Sequence, residues 1–156
     1  MRVLDAAGLE RFVGHARANG RRIVFTNGVF DILHPGHVRY LQAAKSYGDV
    51  LVVGVNSDAS VRRNKGSGRP INPEGERAEV LAALAAVDAV SIFGEDTPAD
   101  IIRRVLPDVL VKGADWPADQ IVGRDTVEAH GGRVVLEPVE QGYSTSAIVD
   151  RVRRSG

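Results

Sequence analysis

Arg22-Ile-Val-Phe-Thr-Asn-Gly-Val-Phe-Asp-Ile-Leu-His-Pro-Gly-His37 decides how the chain is read. Its first third is a short apolar run ended by Gly28, the pattern of a buried strand. Its last third opens a helix, because Pro35 and Gly36 suit a first helical turn, where a missing N–H costs little. The same rhythm continues outward in both directions. Helical patterns are predicted at 4–18, 37–47, 74–87, 98–105 and 144–154, and strands at 22–27, 49–56, 89–93, 109–112 and 132–136. The run at 49–56 is continuous and apolar, as in a parallel strand covered on both faces. About five strands separated by helices predict a single α/β domain over 1–156, with a Rossmann-like open parallel sheet and flanking helices. Within it, 1–20 is an N-terminal helix and 22–156 the α/β core with its closing helix. Ligands of such sheets sit beyond the carboxyl ends of the strands. Lys65-Gly-Ser-Gly-Arg-Pro70 breaks the rhythm and is expected to be a mobile, basic loop at that end.

Composition narrows the classes. The 156 residues carry 20 Lys+Arg against 20 Asp+Glu, and no Cys. Equal charge argues against a nucleic acid partner, although Val61-Arg-Arg-Asn-Lys65 and Asp150-Arg-Val-Arg-Arg154 are basic runs. Absence of Cys removes disulfides, Cys-held zinc and a thiol nucleophile. No apolar stretch is long enough for a membrane span. The first residues lack the apolar core of a signal peptide, so a cytoplasmic location is expected. Neither G-x-G-x-x-G after the first strand nor G-x-x-x-x-G-K-[ST] occurs, which disfavours dinucleotide dehydrogenases and P-loop enzymes.

The chemistry concentrates at His34 and His37. The chain has four His, and two of them flank Pro35-Gly36 at a helix start. Side chains at i and i+3 share a helix face. Free N–H groups of a first turn favour an anion. Gly28 would let the backbone approach a ligand. The arrangement reads as a phosphate-binding corner with two imidazole donors. A plain helix start with packed imidazoles fits the same residues. Zinc fits them poorly, for want of a third ligand. His15 and His130 read as surface or packing residues.

Gly28-Val-Phe-Asp-Ile-Leu-His-Pro-Gly-His37 resembles the first motif of the cytidylyltransferase-like nucleotidyltransferases, G-x-F-D-x-x-H-x-G-H. Tyr143-Ser-Thr-Ser146 is similar to that family's second motif, an I-S-T-T helix start, with Tyr for Ile and Ser for the second Thr. Residues 22–63, 68–90, 96–116 and 134–153 resemble the adenylyltransferase half of the bifunctional heptose-phosphate kinase/adenylyltransferases. Val29 stands where Cys is frequent in that family. No sugar-kinase half accompanies these residues, so a separate kinase is expected.

The resemblance implies transfer of AMP from ATP to D-glycero-β-D-manno-heptose 1-phosphate. The products would be pyrophosphate and ADP-heptose for the lipopolysaccharide inner core. A cytidylyltransferase acting on glycerol 3-phosphate is the alternative. A nucleotide-sensing or nucleic-acid-binding module without catalysis is a second. The resemblance implies catalytic roles for His34, His37 and Lys65. It implies nucleotide contacts from Thr26, Asn27, Gly28, Phe30, Gly36, Arg77, Lys112, Gly113, Asp115, Tyr143, Ser144, Thr145 and Ser146. Each has a plainer reading. Lys65 would be a solvated loop lysine, Arg77 an exposed helix cation, Gly113 and Asp115 a strand-end cap, and Ser144 to Ser146 an N-cap. Trp116 could cover the adenine or sugar, or pack. Asp31 reads as a residue ordering the loop before His34, and Asp58 as a helix cap. Mg²⁺ would come with ATP, held chiefly by phosphate oxygens and water with at most one or two carboxylates, and no residue is named as a metal ligand. The resemblance also implies a homo-oligomer acting on small molecules.

Overall fold

Apolar strands whose side chains alternate between two covered faces need helices on both sides, and the chain supplies them. The computed structural model describes residues 2–156. Five strands, β1 (Ile23–Gly28), β2 (Val50–Asn56), β3 (Ala89–Phe93), β4 (Val109–Gly113) and β5 (Arg133–Glu137), form one parallel sheet in the order β3-β2-β1-β4-β5. The helices are α1 (Ala6–Ala18), α2 (Pro35–Lys45), α3 (Asp58–Lys65), α4 (Glu74–Ala82), α5 (Ala99–Val105), α6 (Arg124–Ala129) and α7 (Thr145–Ser155).

Period-two alternation divides the core between the two faces. Ile23, Phe25, Val52 and Leu110 pack with α1, α5 and α6 on one side, while Val24, Leu51, Val53, Val109 and Val111 pack with α2 and α4 on the other. Helix α1 is part of this core rather than an appendage to it. Asp5 caps it by accepting from the Gly8 N–H at 2.7 Å, and Leu9, Val13 and Ala16 are buried at helical spacing. Ahead of α1, Val3 bridges Val90, and the Leu4 N–H donates to the Val90 carbonyl at 2.8 Å, so residues 2–4 lie along the outer edge of β3.

Strand order sets the position of the site. Connections from β1 run toward β2 and those from β4 toward β5, so a crevice opens between the carboxyl ends of β1 and β4. Helix α2 starts at that crevice, and Thr145 of α7 donates its hydroxyl to the Ile32 carbonyl at 3.3 Å, bringing the last helix onto the same segment.

Three expectations are corrected. Residues 58–65 form helix α3, capped by Ser57, whose Oγ accepts from the Ser60 N–H at 3.2 Å, so Lys65 ends a helix and does not sit on a loop. Helix α6 is a further element that the sequence pattern does not predict. The helix expected to reach residue 87 ends at Ala82.

Candidate active site

β1 leaves the sheet through Gly28 and Val29 into Phe30, which adopts a left-handed backbone (φ 50°) although it carries a side chain. That conformation costs a non-glycine residue about 1–2 kcal/mol, and burial of the ring offsets it. The ring lies against Gly28, where a Cβ would come within 2.9 Å of it. Phe30 packing by itself thus requires glycine at position 28. The same ring meets the His37 imidazole edge-on, with centroids 5.5 Å apart.

His34 and His37 bracket the start of α2. Their rings stack at 3.7 Å with 24° between planes. The His34 N–H donates to His37 Nδ1 at 3.3 Å, which leaves the His37 proton on Nε2. Burial lowers the basicity of both rings, and His34 beside it pushes His37 further, down to about 4. Two stacked imidazolium ions would repel, so the pair is neutral near pH 7 and offers hydrogen bonds rather than charge. His34 Nδ1 is buried with no partner among the described residues. An orphaned polar atom of this kind costs ~1–3 kcal/mol until a ligand satisfies it.

Less of the first turn of α2 is available than its sequence suggests. The N–H groups of His37 and Val38 both donate to the His34 carbonyl, at 3.0 and 3.3 Å. A Cβ on Gly36 would lie 3.0 Å from the His34 ring and 3.0 Å from Cβ of Tyr143. Gly36 thus lets α7 approach the imidazoles. Tyr143 runs nearly parallel to His34 at 6.0 Å, and the Arg39 guanidinium lies 5.4 Å from the Tyr143 ring centre while pairing with Glu140. At the start of α7, Ser144 caps the helix through the Ala147 N–H at 3.0 Å and Thr145 holds Ile32. Ser146 is exposed. A cleft beside the imidazoles is lined by Leu33, His34, Tyr143, Ser144, Ile148 and Arg151.

On the other side of the crevice, Lys112 Nζ donates to Asn27 Oδ1 at 2.6 Å, joining the ends of β4 and β1. Burial pushes its ammonium down to about 8. Gly113 follows, and a Cβ there would stand 2.6 Å from the Asp115 carboxylate. Asp115 is exposed, and Trp116, 52 % exposed, lies 5.9 Å from the Lys112 ammonium.

Four residues stand differently from their plainer readings. Arg77 is 2 % exposed and so is not an exposed helix cation. It donates to the carbonyls of Asn72 and Val29 at 2.9 and 2.7 Å and to the Asp58 carboxylate at 2.8 Å. Asp58 is therefore a partner of Arg77, and Ser57 is the cap. Thr26 turns its hydroxyl inward, to Tyr40 at 2.8 Å and the Val111 carbonyl at 2.9 Å, so its side chain links β1, α2 and β4. Lys65, at the exposed end of α3, is no part of the imidazole cluster.

Sequence reasoning undervalued Asp31 and missed Tyr40 and Asn72. Asp31 is buried and accepts from the N–H groups of Ile71 and Asn72 at 2.9 Å each, which clamps a segment 40 residues away to the histidine-bearing turn. Tyr40 stands one turn after His37, and that spacing was the available signal.

The family described as cytidylyltransferase-like matches residues 25–151. The chain is 58 % identical over 151 residues to the bifunctional protein HldE of Bradyrhizobium diazoefficiens, covering 97 % of this chain and 31 % of that protein. Its identity with the bifunctional protein HldE of Geobacter metallireducens is 53 % over 154 residues, covering 99 % and 31 %. The chain thus spans about a third of the length of these curated relatives. Among solved structures, the lipopolysaccharide core biosynthesis protein of Thermoplasma volcanium superposes with a TM-score of 0.65 at 32 % identity, over 80 % of this chain and 100 % of that one. Pantothenate synthetase of Thermus thermophilus shares the fold, with a TM-score of 0.68 at 16 % identity over 99 % of this chain and 70 % of that one. With the histidine pair at the head of α2 and a family match spanning most of the sheet, the chain belongs to the cytidylyltransferase-like family.

Proposed function

We propose that the chain transfers AMP from magnesium-bound ATP to D-glycero-β-D-manno-heptose 1-phosphate, releasing pyrophosphate and forming ADP-heptose for the lipopolysaccharide inner core. An oxygen of the sugar phosphate attacks the α-phosphorus in line, the bond to the β-phosphate oxygen breaks, and pyrophosphate leaves. Such a transfer requires alignment and charge stabilisation more than covalent participation. The observation that carries the reading is the stacked, neutral imidazole pair with one buried, unpaired nitrogen at the mouth of the crevice. His34 and His37 donate to oxygens of the α- and β-phosphates. The start of α7, with Ser144, Thr145 and Ser146, receives the outer phosphates. Gly113 and Asp115 border the nucleoside. Lys65, exposed at the end of α3, extends to the triphosphate.

No group of three or more metal-binding side chains occurs among the described residues. In this reading the ion is carried by phosphate oxygens and water as part of the ATP substrate. The curated relatives named bifunctional protein HldE and the lipopolysaccharide core biosynthesis protein support the sugar-nucleotide assignment. We extend the same reading to a cytoplasmic homo-oligomer formed by residues 1–156 without nucleic acid or membrane. No helix among the described residues is long and apolar enough to cross a membrane, and Val152 is 66 % exposed on α7.

A panel pairing ATP and CTP with heptose 1-phosphate and glycerol 3-phosphate, read by pyrophosphate release, tests the proposal. Turnover is expected with ATP and heptose 1-phosphate and is lost on chelation of divalent ions. A preference for CTP or for glycerol 3-phosphate would overturn it.

A further inference from the structure

The proposed reaction brings two phosphate groups together, and the donors described so far account for one of them. Neutral imidazoles and a helix start suit the triphosphate. A sugar 1-phosphate carries about two negative charges at neutral pH, since the second ionisation of a phosphate monoester lies near 6. It must sit in the same dry crevice, where an unbalanced dianion is costly.

The cations at this end of the sheet divide sharply. Arg77 is engaged by Asp58, Val29 and Asn72. Arg69 lies beside Asp31 at 3.5 Å, and Arg39 pairs with Glu140. Lys65 is exposed. Lys112 alone among these is largely buried with no carboxylate paired to it. Among the described residues its one hydrogen-bond partner is the neutral Asn27 Oδ1, so two of its three N–H donors have no partner there. A desolvated ammonium held by an amide and faced by an indole ring is a cation kept for an incoming anion.

We propose that Lys112, positioned by Asn27 across the gap between β1 and β4, binds the phosphate of the acceptor sugar rather than the nucleotide. The assignment rests on the acceptor being a phosphate monoester, as proposed above. Asn27 turns the ammonium into the crevice and Lys112 sets the attacking oxygen opposite the imidazoles. The lysine therefore neutralises the nucleophile's phosphate as it approaches the α-phosphorus. Asn27 from β1 holds Lys112, and the Trp116 ring from the loop after β4 lies 5.9 Å from it. The Tyr40 hydroxyl from α2 reaches the carbonyl of the preceding residue, Val111, and Asp115 and Glu137 are the charged groups that act on Tyr40. Tyr40 is pushed up to about 12 by burial and His37 down to about 4, so neither titrates near pH 8.

The test compares wild type, Lys112→Met and Lys112→Arg. Steady-state kinetics are measured for each substrate, and binding of a non-hydrolysable ATP analogue is measured by calorimetry. Loss of one charge-assisted phosphate contact is expected to raise the acceptor KM about 10- to 100-fold in Lys112→Met. Affinity for the ATP analogue should stay within about threefold, and that binding also reports a folded protein. Lys112→Arg should restore most of the acceptor KM. In wild type, kcat/KM for the acceptor should fall as pH rises through about 8, and this limb should vanish in Lys112→Arg. An unchanged acceptor KM in Lys112→Met, or an equal loss of ATP-analogue affinity, overturns the assignment. Wild type inert toward heptose 1-phosphate would instead defeat the proposed function. The Lys112 assignment is then read by calorimetric binding of glycerol 3-phosphate, where tenfold weakening in Lys112→Met supports it and equal binding overturns it.

Discussion

Arg77→Ala separates a structural arginine from a ligand-binding one. The guanidinium is buried and holds three groups: the Val29 carbonyl just ahead of Phe30, the Asn72 carbonyl, and the Asp58 carboxylate. Removing one partner of a buried ion pair costs about 3–5 kcal/mol. The Asp58 side chain keeps 25 % of its surface in water, which favours the lower end of that range. Each stranded carbonyl adds about 1 kcal/mol. Allowing for non-additivity, the loss is about 4 kcal/mol. For a chain of this length, 1 kcal/mol moves Tm by about 2–4 °C, so the ligand-free protein should melt about 8–16 °C lower. The assay is thermal unfolding without nucleotide, followed by titration with an ATP analogue below the new Tm. A double-mutant cycle with Asp58→Ala should show coupling of about 1–3 kcal/mol. If Arg77 gripped the triphosphate, the ligand-free Tm would hold and analogue affinity would collapse. A Tm change under about 2 °C with weakened analogue binding would refute the network argument.

Two further outcomes follow from the histidine turn. His37 is pushed down to about 4 in the folded protein from an ordinary 6.5. Between those values the unfolded chain binds a proton that the folded one does not. Stability is therefore full above about pH 6.5 and declines as pH falls toward 4. Chemical denaturation across that window should show a shallower acid loss in His37→Gln, and parallel curves would count against a desolvated imidazole. Gly36→Ala places a Cβ 3.0 Å from the His34 ring and Tyr143 Cβ. It should cost about 1–3 kcal/mol of stability and shift the His34 ring. Gly75→Ala, whose Cβ meets nothing within 4 Å, serves as the control, and equal activity in the two variants would contradict the packing argument.

Much of the architecture was legible because the strands are apolar on both faces. Val50 to Val55 has no polar residue to confuse the pattern. Helices α3 and α6 escaped because little of either is buried. Ser60 and Val61 are the buried residues of one and Val127 that of the other, so no apolar stripe marks them. The histidine pair was legible because its geometry is local, fixed by three residues of helix. The bonds that hold Arg77 and Lys112 were not legible because their partners are remote in sequence. Asp58 lies 19 residues from Arg77, Val29 lies 48 away, and Asn27 is 85 from Lys112. Which cation is engaged and which is free depends on tertiary placement that no local spacing encodes. Asp31 illustrates the same point. Its neighbours suggest a turn, whereas its carboxylate organises a segment 40 residues downstream.

The strip formed by residues 2–4 along β3 has a bearing on how copies of the chain can meet. An unprotected strand margin is a template for another strand. Here one margin is already covered by the Val3–Val90 bridge, while β5, with Leu136 exposed, has no strand beyond it. A further strand is therefore hindered at Val90 and less so along β5. Two molecules joined antiparallel through β5 would bury both β5 margins at once, a contact that closes on itself rather than propagating.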